Sequence, residues 1–266
     1  MLKKASLLIG LLTLTACDEP ITLSKVCEET PGFCSDLNKD SHCKKQRADV
    51  ILKRYVEYKD PSDENKFQLL KGFESYNQCI TLAAKIELTK LKSKKTSRID
   101  GQLTSIKEMT RIYQDTKNTT HPGLLYYQWS RNNNKRALTK LLSIENDPSV
   151  TKSAEMQFFL ASYYIKFDEE KTIDLLYKTL ELNKKGTFPN PEVYTSLISL
   201  FYKHEKFKHA YIFSQVAKMS GVENIDSFEI EQSLLNSGKN LSSLDDLAEQ
   251  IYLQVINGEF VSPRDF

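Results

Sequence analysis

Glycine and proline are scarce in this 266-residue chain, at nine and eight. A sandwich or barrel spends many of both on turns. Their shortage, with Leu, Lys, Glu and Ser common, points to an all-α fold. Catalytic signatures are missing as well. There is no H-E-x-x-H, no G-x-S-x-G and no glycine-rich phosphate cradle, which excludes the zinc-protease, hydrolase-elbow and P-loop chemistries that need them. The four histidines (His42, His121, His204, His209) are scattered, and the last two are five apart, off a shared helical face. Ser41-His42-Cys43-Lys44 matches S-x-x-K in letters but lacks its companion motifs. Asp168-Glu169-Glu170 and Asp245-Asp246 stand where helices should begin, where carboxylates complement the helix dipole. No catalytic residue, metal or cofactor is expected, and the protein does not read as an enzyme.

Charge of one sign is also lacking. Removing Lys3 and Lys4 from the 37 basic residues leaves 35 against 35 acidic ones, so global charge predicts no nucleic-acid partner. Those two lysines open a segment whose apolar run, residues 5–16, is twelve residues long and broken by Ser6, Gly10, Thr13 and Thr15. That suits the core of a secretory signal, whereas a spanning helix needs about 20 apolar residues. Leu14-Thr15-Ala16-Cys17 closes the run and resembles the lipobox of bacterial lipoproteins. The resemblance implies a signal peptide at 1–16 and an acylated (palmitate-bearing) Cys17 that ties the chain to a lipid bilayer. Asp18, followed by Glu19, resembles the enterobacterial signal that withholds a lipoprotein from the outer membrane. The expected location is the periplasmic side of the bacterial cell envelope, with the inner membrane favoured and the outer membrane the alternative.

Four further cysteines, Cys27, Cys34, Cys43 and Cys79, allow three pairings in an oxidising compartment. Residues 42–59 and 65–91 read as helices broken at Asp60-Pro61-Ser62-Asp63. Folded at Pro61, they set residues 43 and 79 level, each 18 positions from the turn. Cys43 then pairs with Cys79, and Cys27 with Cys34 around Pro31-Gly32. A metal site is the alternative, but the spacing holds no C-x-x-C pair. Residues 17–41 read as an acylated tether and small disulfide loop, and 42–117 as the hairpin plus one further helix. Within it, residues 85–98 carry six Lys or Arg against Glu87 alone. The stretch reads as a solvated helix end or as a contact for anionic headgroups.

Residues 118–258 look repetitive. Leu160-Ala161-x-x-Tyr164, then Ile173, Tyr177 and Leu180, parallels Leu197-Ile198-x-x-Phe201, then Ala210, Ser214 and Ala217. Ala137, Ile173, Ala210 and Ala248 fall at spacings of 36, 37 and 38. These positions resemble the tetratricopeptide repeat, which implies a helical solenoid of about three to four pairs, with residues 259–266 as a tail. His121-Pro122, Leu124-Leu125-Tyr126-Tyr127-x-Trp129-Ser130, Ala161-x-Tyr163-Tyr164 and Ala210-Tyr211-Ile212 are similar to an uncharacterised family of envelope lipoproteins with helical repeats. Most of the many aromatics read as packing between helices.

The whole chain thus reads as a disulfide-braced helical hairpin followed by a tetratricopeptide-like array. Stacked pairs present a concave face lined by their first helices. Here that groove would hold Glu155, Phe158, Ser162, Ile165, Glu192, Thr195, Ser199 and Tyr202, a mixture suited to a polypeptide. The expected role is a membrane-anchored interaction or scaffold module with a protein partner in the envelope. An envelope hydrolase or glycan-processing enzyme, a purely structural lipoprotein, and a groove filled by the chain's own N-terminal helices are the alternatives.

Overall fold

The computed structural model describes residues 21–87 and 92–262. Cys17, Asp18 and Glu19, with the rest of the expected signal and the last four residues, lie outside them. Every described element is an α-helix, and the chain divides into two compact units at Lys117/Asn118.

The first unit holds α1 (Leu23–Glu29), α2 (Gly32–Ser35), α3 (Lys44–Lys59), α4 (Asp63–Ala84) and α5 (Lys92–Asp115). Asp60 precedes Pro61 in extended backbone, which ends α3. Ser62 then caps α4, accepting from Asn65 N, with Asp63 and Glu64 in the first turn. The resulting hairpin buries Val50, Ile51 and Tyr55 against Phe67, Leu70, Phe73 and Ile80. Cys43 bonds to Cys79 at the end remote from the turn, and Cys27 bonds to Cys34, both with Cα atoms 5.8 Å apart.

Three boundaries differ from the sequence reading, the smallest being the start of α4 at Asp63 in place of residue 65. The helix expected from His42 starts at Lys44, because Cys43 adopts a left-handed φ of 55°. The helix expected to run to residue 91 stops at Ala84, and α5 begins at Lys92. The basic stretch 85–98 is therefore no single solvated helix end, since its last member, Arg98, is 3% exposed. The polar stretch before the hairpin also packs inward at Leu37 and Asn38, each 1% exposed.

That stretch, residues 36–43, is a strap held by side chains from three helices. Arg54 on α3 forks onto Asp36 at 2.7 and 3.0 Å and also donates to Phe33 O. Tyr76 Oη on α4 accepts from Asn38 N at 3.1 Å and donates to Asn38 Oδ1 at 2.9 Å. Arg98 on α5 donates through Nε to Asp40 Oδ2 at 2.6 Å and through Nη1 to Ala83 O at 2.8 Å. Its Nη2 lies 3.0 Å from His42 Nδ1. Burial alone would raise the Asp40 carboxyl, but hydrogen bonds from Arg98, Asn38 and the His42 backbone outweigh it and hold Asp40 below its usual value. Gly101 lets α5 approach: a Cβ there would collide with Tyr76 Oη and sit 3.1 Å from Asn38 N.

The second unit is built of helix pairs: α6 (Pro122–Asn132) with α7 (Lys135–Ser143), the short α8 (Pro148–Thr151), then α9 (Ala154–Tyr164) with α10 (Glu169–Glu181). Next come α11 (Pro191–Lys203) with α12 (Phe207–Met219), and α13 (Phe228–Asn236) with α14 (Leu241–Asn257). Most starts other than those of α12 and α13 carry their own stop-and-cap chemistry. Asn134, Ser153, Asp168, Asn190 and Asn240 accept from the first turn, and proline opens α6, α8 and α11. Ala137, Ala210 and Ala248 are 3%, 0% and 0% exposed, and so let the second helices approach closely. In the first turns of α10 Thr172 is fully buried, its hydroxyl returning to Asp168 O at 2.7 Å, while Ile173 is only half-buried. One core runs from Phe158 through Tyr194, Phe201 and Phe213 to Phe260. Beyond Gly258 (φ 70°) the chain returns along α10, and Ser262 N and Oγ donate to Glu181 at 3.1 and 2.7 Å.

Gly101→Ala is expected to lower the urea unfolding free energy by about 1–3 kcal/mol, because buried Tyr76 must move off the strap. A midpoint equal to wild type would contradict the close approach of α5.

Candidate interaction surface

The open face of the second unit is carried by α6, α9, α11 and α13. His121, Ser153 and Asn190 cap α6, α9 and α11. Tyr126 on α6 stacks on Phe159 of α9, with centroids 3.8 Å apart and planes 6° from parallel. Its hydroxyl lies 3.0 Å from Ser162 Oγ. Ser162 spends its own proton on Phe159 O at 2.7 Å, so Tyr126 is the donor. Trp129 meets Tyr163 edge to face at 5.3 Å, and Tyr163 continues to Phe167, which is 71% exposed. Farther along, Tyr202 on α11 donates to Glu229 of α13 at 2.7 Å, and that charge-assisted bond raises the phenol above its ordinary value.

Of the eight groove positions read from the sequence, Glu192, Ser199 and Tyr202 are exposed, and Glu155, Ser162, Ile165 and Thr195 are half-buried. Thr195 and Ser199 turn their hydroxyls onto Glu192 O and Thr195 O. Phe158 is a correction. It is 8% exposed and belongs to the core, because at that point α9 faces its partner α10. The next residue, Phe159, takes the open face instead. Phe159 and Tyr126 were not singled out for the groove; a shift of one residue would have found Phe159, whereas no groove position was read on the helix of Tyr126. Of the aromatics read as packing, Phe158, Tyr177, Tyr194, Phe201, Tyr211 and Phe213 are buried, whereas Tyr126, Trp129, Phe159 and Tyr163 reach the surface.

The titratable candidates have local partners. His121 caps α6 through Nδ1. His204 lies 2.6 Å from Glu169 Oε2, and Lys203 pairs with the same carboxylate. These hydrogen bonds lower Glu169 below its usual value. Asp168 caps α10. Asp245 accepts from Tyr211 Oη at 2.7 Å; burial and then that carboxylate drive the phenol upward. Cys43 is consumed by its disulfide. Among the described residues no three His, Cys, Asp or Glu side chains gather into a metal-ligand group, and no helix is long and apolar enough to cross a membrane.

His209 lies against Phe201, with ring centroids 5.1 Å apart. Burial, then the Lys206 and Lys208 charges, push it down to about 4. An unfolded imidazole protonates near pH 6.5, so acidification below that value protonates the unfolded chain first and costs stability. The urea midpoint should therefore fall between about pH 7 and about pH 5. His209→Gln should show a smaller fall, and equal slopes in the two proteins would contradict this assignment.

A family model described as protein of unknown function (DUF2989) matches residues 14–215. No curated protein and no solved structure matches the chain.

Proposed function

The chain belongs to the family that its residues 14–215 match, and from that premise we propose that it is a lipid-anchored interaction module of the bacterial cell envelope. The match takes in Leu14-Thr15-Ala16-Cys17. Acylation at Cys17 would tie the protein to the bilayer, and Asp18 with Glu19 would keep it on the periplasmic face of the inner membrane. The paired helices are tetratricopeptide-like, and a polypeptide partner is held along their first helices.

One observation carries this reading. Side chains from consecutive pairs meet across the open face, as Tyr126 does with Ser162 and Tyr202 with Glu229. These cross-pair bonds fix the spacing of aromatic and polar groups before any partner arrives. A surface ordered in advance loses less conformational freedom on binding. Ser199, Tyr202 and the Tyr126–Phe159 stack then offer hydroxyl, aromatic and apolar groups on first helices, the mixture that suits a peptide or helix.

A photo-crosslinking amino acid at Ser199 tests this in intact cells. The expected result is one adduct of defined mass, absent when the same group replaces Lys178 on the second helix of the preceding pair. No adduct at residue 199, or the same adduct from both positions, would contradict the reading.

A further inference from the structure

The end of the first unit that carries the start of the described chain is rich in uncompensated cations. Leu23, Lys39 and Lys44 line one cavity of about 370 Å³. Lys39 also borders a second cavity of about 490 Å³, between the strap and the start of α5, with Lys94, Ser93, Thr96 and Ser97. Lys39, Lys44 and Lys94 form no ion pair among the described residues. Arg47 spends its guanidinium on the carbonyls of Asn38 and Asp40 and on no carboxylate. Of the two acids at the second cavity, Asp40 is neutralised by Arg98 at 2.6 Å, which leaves Asp100. The local balance is positive even though the whole chain is nearly neutral.

Position makes this balance meaningful. Ile21 is four residues from Cys17, so an acyl group there lies at most about 14 Å away along the backbone. Lys39 and Lys94, with the Ser35, Ser93 and Ser97 hydroxyls around one cavity, offer charge and hydrogen bonds to a phosphodiester, while Thr96 gives its proton to Lys92 O. We propose that the cavity between the strap and α5 takes the phosphate of an anionic phospholipid headgroup, seating the first unit on the bilayer. The inference rests on the anchoring reading for its geometry, and the lipid contact would fix the angle at which the body leaves the membrane.

Vesicle flotation tests it with the mature chain from residue 17, carrying Cys17→Ser and no acyl group. Vesicles of phosphatidylcholine with phosphatidylglycerol should float the protein, and phosphatidylcholine alone should not. A lysine near such a surface contributes about five-fold in affinity, so Lys39→Gln with Lys94→Gln should weaken binding about 25-fold. Lys66→Gln with Lys71→Gln, an equal charge loss near the far turn of the hairpin, should leave it within about two-fold. Equal losses from the two pairs, or binding to phosphatidylcholine alone, would overturn the site. Saturable calorimetric binding of inorganic phosphate without vesicle flotation would assign the cavity to a soluble anion and overturn the lipid assignment. The protein in this experiment is unacylated, so a failure here is separable from a failure of lipidation.

Discussion

The first unit depends on how Arg98 is satisfied. A guanidinium 3% exposed would be costly unless every nitrogen found a partner. Here Nε meets Asp40, Nη1 meets the Ala83 carbonyl, and Nη2 meets His42. Two partners come from the strap and one from the end of α4, so the arginine sets the register of α5 against both. A buried ion pair adds little net stability over an apolar packing, yet removing one partner costs about 3–5 kcal/mol. Its effect is therefore to specify one arrangement. The Cys43–Cys79 bond fixes the hairpin beside the same strap, and Gly101 leaves the room that Tyr76 needs to hold Asn38.

The second unit solves a different problem. Its helices are short, and most bury one side against their neighbours, while α12 is buried nearly all round from Ala210 to Ala217. Alanine at the closest approaches and large aromatics between them build one core across the pairs. The same regularity sets the first helices in line, so the face that remains open is ordered by bonds between pairs.

Much of this architecture was legible in the sequence because it follows from spacing. Pro61 lies midway between Cys43 and Cys79, and a hairpin turning there must bring those residues level. The buried small positions Ala137, Ala210 and Ala248 could be read in the same way. What escaped was set by tertiary partners. Arg98 closes a basic run, and nothing local shows that Asp40, 58 residues earlier, will neutralise it. Leu37 and Asn38 sit in a polar, aperiodic stretch, and the distant Tyr76 and Arg47, with Asp40 and His42 of the strap, satisfy the polar groups of Asn38. At Phe158 and at Ile173 the period was right but the register was off by one residue, because adjacent residues of similar character differ only in which neighbour they face.

The proposed lipid attachment at residue 17 is the feature most directly open to measurement. Tryptic digestion of protein isolated from membranes should release a peptide spanning residues 17–25. Its mass should include a diacylglyceryl group on the Cys17 sulfur and a third fatty acyl chain on the new amino terminus. A peptide with a free Cys17 thiol, or one continuous with the residues before it, would contradict the account.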